Sequence, residues 1–232
     1  MSVKSKKSAR ALMGTGAAIT GLAFCGAAHG EIIAQFNFPG GANVANKLKP
    51  TITADNVDVS DVSFNSTTEL SADSQFEIRV NGFASGETFG DNIVFSVTPL
   101  IDPGTSVQQA LNIESFSILQ TAFGAGQPDI TFQLGITTDP TLQTFTLVDS
   151  ETIEGPPGGT TTTIGGPVTG ITGVTDELFF VVYGINAEQV SAVYRLDTFV
   201  VEGTLTPIPE PGSLLLVGLS GLTILGRRRR HA

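Results

Sequence analysis

The chain is poor in the residues that most often carry enzyme chemistry or bind metal. It has one cysteine, two histidines and no tryptophan. Cys25, His29 and His231 all lie outside the segment 31–206. This excludes disulfides, Cys/His zinc sites, Ser-His-Asp triads and Cys-His dyads from that segment. Catalysis there would depend on a pair of carboxylates, as in glycosidases, and no pair stands out among 22 acidic residues. We therefore expect that the protein is not an enzyme.

Positive charge is scarce in the middle of the chain. Residues 31–210 contain all 22 acidic residues but only four basic ones, a net charge of −18. The four are Lys47, Lys49, Arg79 and Arg195. Nucleic-acid binding requires clustered Lys and Arg that displace counterions from phosphates, so no nucleic-acid partner is expected. The length of this middle segment, roughly 180 residues, suits one domain with its own core.

The first 30 residues have the layout of a secretory signal peptide. Residues 1–10 carry four positive charges and no negative one, and the apolar run Ala11–Phe24 follows. The triplet Ala28-His29-Gly30 fits the small-x-small rule for signal peptidase, with cleavage before Glu31. Cleavage before His29 is the alternative. The sequence therefore predicts an exported protein with a signal peptide at 1–30.

Two other interpretations of this N-terminus are weaker. A transmembrane anchor needs about 20 apolar residues, and the run here has about 14. Cys25 loosely resembles the lipidated cysteine of bacterial lipoproteins, but Phe24 stands where that pattern requires a small residue. Without lipidation, Cys25 is discarded with the signal peptide, and the mature protein has no cysteine.

The C-terminus has three parts in a fixed order. The motif Pro209-Glu210-Pro211 comes first, the apolar stretch Ser213–Gly226 follows, and Arg227 to Arg230 come last. A 14-residue helix rises about 21 Å, which is less than the roughly 30 Å of a bilayer core. Clustered arginines stay on the cytoplasmic side. The segment 213–226 therefore predicts transient insertion in a membrane, and a permanent membrane tail is the alternative.

These three features together resemble the PEP-CTERM sorting signal of Gram-negative bacteria, over residues 207–232. The resemblance implies recognition by exosortase, a membrane enzyme that removes the tail and passes the protein on to the cell surface or an exopolysaccharide matrix. By the same resemblance, Pro209, Glu210 and Pro211 are the sorting motif. Arg227, Arg228, Arg229 and Arg230 are then the cytoplasmic basic tail.

The middle segment shows alternation of apolar and polar residues, which is typical of half-buried strands. The clearest example is Ile130–Ile136. The other runs are Ile32–Phe38, Val57–Phe64, Phe76–Val80, Ile93–Val97, Leu111–Leu119, Leu142–Val148, Leu178–Ile185 and Val193–Leu205. These runs predict an all-β, antiparallel jelly-roll-like sandwich over 31–206. Parts of this segment are similar to PEP-CTERM proteins of unassigned activity, and such jelly rolls are similar to carbohydrate-binding modules.

One stretch, residues 154–173, is rich in Gly, Thr and Pro and breaks the alternation. It predicts a mobile loop or an irregular extension of an edge strand. An O-glycosylated or ligand-facing loop is the functional alternative.

Acidic residues are densest over 55–61, where Asp55, Asp58 and Asp61 recur. Calcium takes six to eight oxygen ligands, so a structural Ca²⁺ site is the one cofactor that this pattern suggests. An EF-hand is excluded, because Val57 and Val59 occupy the positions where ligands would be needed. A solvated strand edge explains the same pattern.

The chain is thus expected to be a precursor with a signal peptide at 1–30, a β-sandwich domain at 31–206 and a sorting signal at 207–232. The expected function is that of an exported surface or exopolysaccharide-associated matrix protein with a structural or adhesive role. The alternative is a carbohydrate-binding module for a neutral glycan. An exposed ring of Tyr183 or Tyr194 in a groove would favour the module, whereas burial of both rings would favour the matrix protein.

Overall fold

The structure is a computed structural model that describes residues 30–38, 46, 48–64, 69–71, 78–81, 92–121, 129–153, 161–187 and 194–208. Over these residues the chain forms 14 strands. They are β1 Glu31–Phe36, β2 Ile52–Thr53, β3 Val57–Val59, β4 Ser63–Phe64, β5 Glu69–Ser71, β6 Ile78–Asn81, β7 Asn92–Pro99, β8 Ile101–Asp102, β9 Val107–Thr121, β10 Ile130–Thr137, β11 Thr146–Ile153, β12 Thr161–Pro167, β13 Leu178–Ile185 and β14 Tyr194–Pro207.

The strands form two antiparallel sheets. The first has the order β12-β9-β14-β1-β2, with β6 also pairing with β14, β5 with β6 and β8 with β9. The second has the order β11-β10-β13-β7-β3, with β4 also pairing with β7. Most neighbouring strands come from distant parts of the sequence, as in Greek-key sandwiches. The consecutive pairs are β1–β2, β5–β6, β8–β9 and β10–β11. The predicted all-β sandwich is confirmed.

The core lies between the two sheets and is built largely from phenylalanine. Phe95 of β7 lies at its centre, with its ring centroid 4.8 Å from that of Phe36 in β1 and 6.0 Å from that of Phe116 in β9. Within its own sheet Phe95 stacks on Phe180 of β13, at 5.1 Å and 8°. All four rings are at most 2% exposed. Burial of each such side chain contributes about 1.5–3 kcal/mol to folding, so the alternating apolar residues hold the sheets together.

Several predicted strands differ in extent from those observed. The run 57–64 is two short strands, β3 and β4, which both pair with β7. The predicted strand Leu142–Val148 is wrong in position, because β11 begins at Thr146. Residues 138–145 instead form a turn. In it the Asp139 carboxylate accepts four hydrogen bonds from Thr141 and Thr144, and Leu142 has a positive φ of 57°. Local side-chain hydrogen bonds therefore override the alternation here.

The Gly/Thr/Pro-rich stretch is partly regular. Residues 161–167 form β12, an edge strand that pairs with β9 from Thr161↔Thr121 to Pro167↔Ser115. The prediction of a mobile loop is therefore wrong for these residues, and the edge-strand alternative is right. Residues 154–160 lie outside the described part of the chain.

Both terminal signals lie almost wholly outside the described residues, which begin at residue 30 and end at residue 208. The predicted signal peptide at 1–30 and the membrane segment at 213–226 therefore remain predictions. In the ranges that the structure does describe, no helix has the length and apolar character needed to cross a membrane.

Candidate functional site: a threonine-lined cleft

The turn between β10 and β11 is organised by one carboxylate. Asp139 accepts hydrogen bonds from the backbone N–H and hydroxyl of Thr141, at 2.9 and 2.6 Å. It accepts two more from the N–H and hydroxyl of Thr144, at 3.3 and 3.0 Å. The hydroxyl of Thr137 accepts from the N–H of Asp139, at 2.9 Å. These bonds, led by that from the Thr141 hydroxyl, lower the pKa of Asp139 to about 2, so the turn is fixed around an anion.

The turn covers a small apolar cluster on the outer face of the second sheet. Tyr183 is fully buried there, and its hydroxyl donates to the carbonyl oxygen of Leu142 at 2.7 Å. Its ring centroid is 5.0 Å from that of Phe145. Burial, together with the charge of Asp139, raises the pKa of Tyr183 to about 12. The Phe145 ring lies over Gly135, where a Cβ would be 2.5 Å from the ring, so the glycine allows this close approach.

On the other side of the cleft, residues 168–174 run beside β9. The N–H of Val168 donates to the carbonyl oxygen of Glu114 at 2.7 Å, and that of Ile113 donates to the carbonyl oxygen of Ile171 at 2.9 Å. The side chain of Asn112 accepts from the N–H of Gly173 at 2.8 Å. Gly173 has a φ of 69°, a conformation that glycine adopts without strain. The segment is thereby fixed in place without being a regular strand.

A cleft of about 380 Å³ lies between the turn and this segment. Its lining combines hydroxyl groups with apolar side chains. The hydroxyls come from Thr137, Thr138, Thr144, Thr146 and Thr172, and the apolar groups from Ile136, Phe145, Ile171, Val174 and Leu178. The volume falls within the range of small-molecule sites, and no charged side chain lines the cleft. Such a lining suits a neutral ligand that carries both hydroxyls and apolar faces.

Neither tyrosine singled out from the sequence forms a platform for a sugar. Tyr183 is 0% and Tyr194 1% exposed, and Tyr194 packs edge-on against Phe132 at 5.8 Å. Burial of both rings is the outcome that favours the matrix-protein hypothesis. Phe145, which is half-buried and lines the cleft, was missed because the alternation assigned it to a strand.

The acidic residues of 55–61 do not come together as a metal site. Asp55 lies in the turn before β3, Asp58 lies in β3 and Asp61 follows it, and all three are exposed. Across the described ranges, no group of three or more His, Cys, Asp or Glu residues is arranged to hold a metal ion. The pattern matches the solvated edge that was the other explanation.

The tail leaves the sandwich at the end of β14. This strand pairs with β9 as far as Pro207↔Gln109, and the N–H of Ile208 then donates to the carbonyl oxygen of Gln108 at 2.8 Å. Pro209, Glu210 and Pro211 follow at once, and they lie outside the described residues, as do Arg227 to Arg230. The predicted motif therefore begins one residue after Ile208, the last described residue of the chain.

The tail itself matches a known family. The PEP-CTERM protein-sorting motif matches residues 207–230. The chain carries a PEP-CTERM sorting motif. This confirms the resemblance drawn from the tripeptide, the apolar stretch and the arginines. The motif implies export through the membrane to the cell surface, with processing by exosortase. No curated protein matches the chain.

Several solved structures are similar to part of this chain. A family 4 carbohydrate-binding module is 11% identical with a TM-score of 0.34, over 64% of this chain and 87% of its own. The mannan-recognising module TmCBM27 is 10% identical with a TM-score of 0.35, over 75% and 98%. The C-terminal family 22 module of Clostridium thermocellum Xyn10B is 16% identical with a TM-score of 0.35, over 65% and 88%. Similarity at this level carries no argument about a ligand.

Proposed function

We propose that the protein is an exported surface or extracellular-matrix component with a structural or adhesive role, associated with exopolysaccharide after exosortase has removed its tail. The PEP-CTERM motif at 207–230 carries this proposal, because it starts at Pro207, where the last described strand of the sandwich ends. The precursor then has three parts: a signal peptide at 1–30, a β-sandwich at 31–206 and a sorting signal at 207–232.

Each part has one physical task in the proposed route. Signal peptidase removes residues 1–30 during export. The segment 213–226 then inserts transiently in the inner membrane, and Arg227 to Arg230 hold its end on the cytoplasmic side. Pro209-Glu210-Pro211 lies on the outer side, where exosortase reads it. Trimming then separates the sandwich from the membrane segment 213–226.

The first prediction concerns Glu210, the one charged residue of the motif. Glu210→Gln removes the charge and keeps the shape, so we expect uncut precursor to accumulate in the inner membrane of the native host. Intact mass spectrometry of the recovered protein measures this directly, because uncut protein retains Arg227 to Arg230. Glu151→Gln, on edge strand β11, is the matched control and should be trimmed normally.

Two outcomes would contradict the sorting role. Normal trimming of Glu210→Gln would show that the tripeptide is not read. Surface protein that still carries Arg227 to Arg230 would show a plain membrane anchor, and the matrix proposal would then be withdrawn.

The cleft favours a second function, recognition of a neutral glycan. The observation is the half-buried Phe145 ring among five threonine hydroxyls, since sugars present both apolar faces and hydroxyls to such a surface. The location also fits, because the cleft lies between two fixed segments of backbone. A matrix protein with this cleft would adhere to polysaccharide through it.

The second prediction tests the cleft with neutral oligosaccharides of hexoses and pentoses, by isothermal titration calorimetry. Phe145→Ala should weaken binding roughly tenfold, because an aromatic contact contributes about 0.5–1.5 kcal/mol beyond its buried area. Leu147→Ala, 51% exposed on β11 two residues further along the chain, should bind as the wild type does. Thr172→Val removes a hydroxyl without touching the Asp139 turn and should also weaken binding. Equal affinities for all four proteins would exclude the cleft as a glycan site.

A further inference from the structure

We propose that the end of the sandwich from which the tail leaves is a docking surface for the extracytoplasmic face of the processing enzyme. The surface consists of Leu100, Ile101, the turn 102–106 and the neighbouring carboxylates Asp55, Asp176 and Glu177. This inference rests on the proposed function, because it requires that a membrane-embedded enzyme cuts near Pro209-Glu210-Pro211.

The tether between the folded domain and the membrane segment is very short. Ile208 is held in the sheet by its hydrogen bond to Gln108, and the apolar segment starts at Ser213. The four residues between them span at most about 14 Å when fully extended. An enzyme that grips the motif in this gap must therefore touch the end of the domain.

The hairpin formed by β8 and the start of β9 is the part of the domain next to the motif. Ile101 pairs with Gln108, and the carbonyl oxygen of Gln108 accepts from Ile208 on the other side of β9. Ile101 and Ile208 are thus two strand spacings apart, roughly 10 Å. The turn 102–106 extends beyond this point along the direction in which the tail leaves.

Two consecutive apolar side chains are exposed on this hairpin. Leu100 is 43% and Ile101 57% exposed. Within the described part of the chain, large hydrophobic side chains are this exposed at only two other places, Ile52 and Leu147, on β2 and β11. The centre of a protein interface is mostly apolar, so this exposed pair next to the tail suits such a centre.

The charge around this pair selects a protein partner over lipid. Asp102 lies in the hairpin, where the N–H of Gly104 and the hydroxyl of Thr105 donate to its carboxylate and lower its pKa. Glu177 precedes Leu178, which pairs with Val97 near the end of β7, so it lies at the same end. An anionic lipid surface repels such a rim, whereas a partner with an apolar depression and surrounding Lys or Arg is complementary.

The test measures the trimming rate of full-length precursor in the native host by pulse–chase. Leu100→Ser/Ile101→Ser should be trimmed about tenfold more slowly, a change of about 1.4 kcal/mol. Ile52→Ser, the matched control at 42% exposure, should be trimmed at the wild-type rate. Asp176→Asn/Glu177→Gln should also slow trimming, since it removes the rim charge. Both sets change only exposed residues, so thermal unfolding should be close to that of the wild type.

A linker variant distinguishes loss of docking from loss of folding as the cause of slower trimming. A flexible insert of twelve residues after Ile208 should slow trimming by itself, and Leu100→Ser/Ile101→Ser should have no further effect in that background. If Leu100→Ser/Ile101→Ser were trimmed at the wild-type rate, the docking surface would be overturned. If Glu210→Gln still blocked trimming in that case, the sorting role would stand without the docking surface. In a host without exosortase, easier extraction of the double variant from membranes would assign the contact to lipid and overturn the proposal.

Discussion

At the scale of single residues, a half-buried acid can organise a site that composition does not reveal. Asp139 is one of 22 acidic residues, yet it accepts four hydrogen bonds and sets the path of the turn that carries Phe145. The spacing of Asp139, Thr141 and Thr144 is a turn signal with a mechanism, because short polar side chains bond to nearby backbone N–H groups. That signal was present in the sequence, but the alternation of Leu142–Val148 obscured it.

The third prediction follows from the pKa of Asp139, which is about 2 in the folded chain against 3.8 for a free side chain. Because the folded state favours the carboxylate, its contribution to stability is complete above about pH 4 and is lost as the pH falls through about 2. Asp139→Asn should be less stable than the wild type at pH 7, and this difference should shrink towards pH 2. Thermal unfolding monitored by circular dichroism over pH 2–7 measures both proteins.

Asp58→Asn serves as the control for this prediction, since Asp58 is an exposed carboxylate on β3. It should follow the wild-type curve. If Asp139→Asn and Asp58→Asn lost stability in parallel at low pH, Asp139 would not be the group that fixes the turn.

At the scale of elements, edge strand β12 shows why a glycine-rich stretch can be ordered. Gly165 has a φ of 103°, and its N–H donates to the carboxylate of Asp149 on β11 at 2.8 Å. This bond joins the edge of the first sheet to the edge of the second and closes one side of the sandwich. The composition of such a stretch predicts a loop. It does not reveal that β9 pairs with β12 along its whole length.

The fourth prediction compares the two adjacent glycines of β12. A Cβ at Gly165 would overlap the carbonyl oxygen of Phe116, whereas one at Gly166 would meet nothing within 4 Å. Gly165→Ala should therefore lower the free energy of unfolding by about 1–3 kcal/mol, the cost of a strained backbone position. Gly166→Ala should change it by less than about 0.5 kcal/mol. Chemical denaturation measures both, and equal values would show that β12 is not held closely against β9.

The strands themselves were predictable to different degrees. β10 and β13 lie in the middle of the second sheet, where most of their residues are buried, so their apolar runs mark them well. The bounds of both strands match the predicted runs within one residue. β2, β5 and β8 have two or three residues each and are set by their partners, so no sequence period marks them. The cleft was not predictable either, because it combines a turn after β10 with a segment before β13.

At the scale of the whole molecule, the sequence separates a neutral interior from an acidic exterior. The strands β1, β7, β9 and β14 contribute one phenylalanine each, and these four rings meet in one core. Among the described residues no Asp or Glu is buried, so their negative charge lies outside that core. A protein built in this way is well hydrated in a polysaccharide matrix, but it repels any polymer of the same sign.

The fifth prediction concerns that repulsion. Trimmed protein recovered from the cell surface should bind an acidic polysaccharide such as alginate only when divalent cations bridge the two, so millimolar Ca²⁺ should promote co-sedimentation and EDTA should reverse it. The measurement is made at 0.15 M salt, where charges farther apart than about 8 Å are screened, so that only close contacts count. Na⁺ at equal ionic strength is the control for screening, and a neutral polysaccharide should show no response to EDTA. Binding to alginate that persists in EDTA would mean that the acidic surface does not govern attachment, and adhesion would then have to be sought in the uncharged threonine-lined cleft.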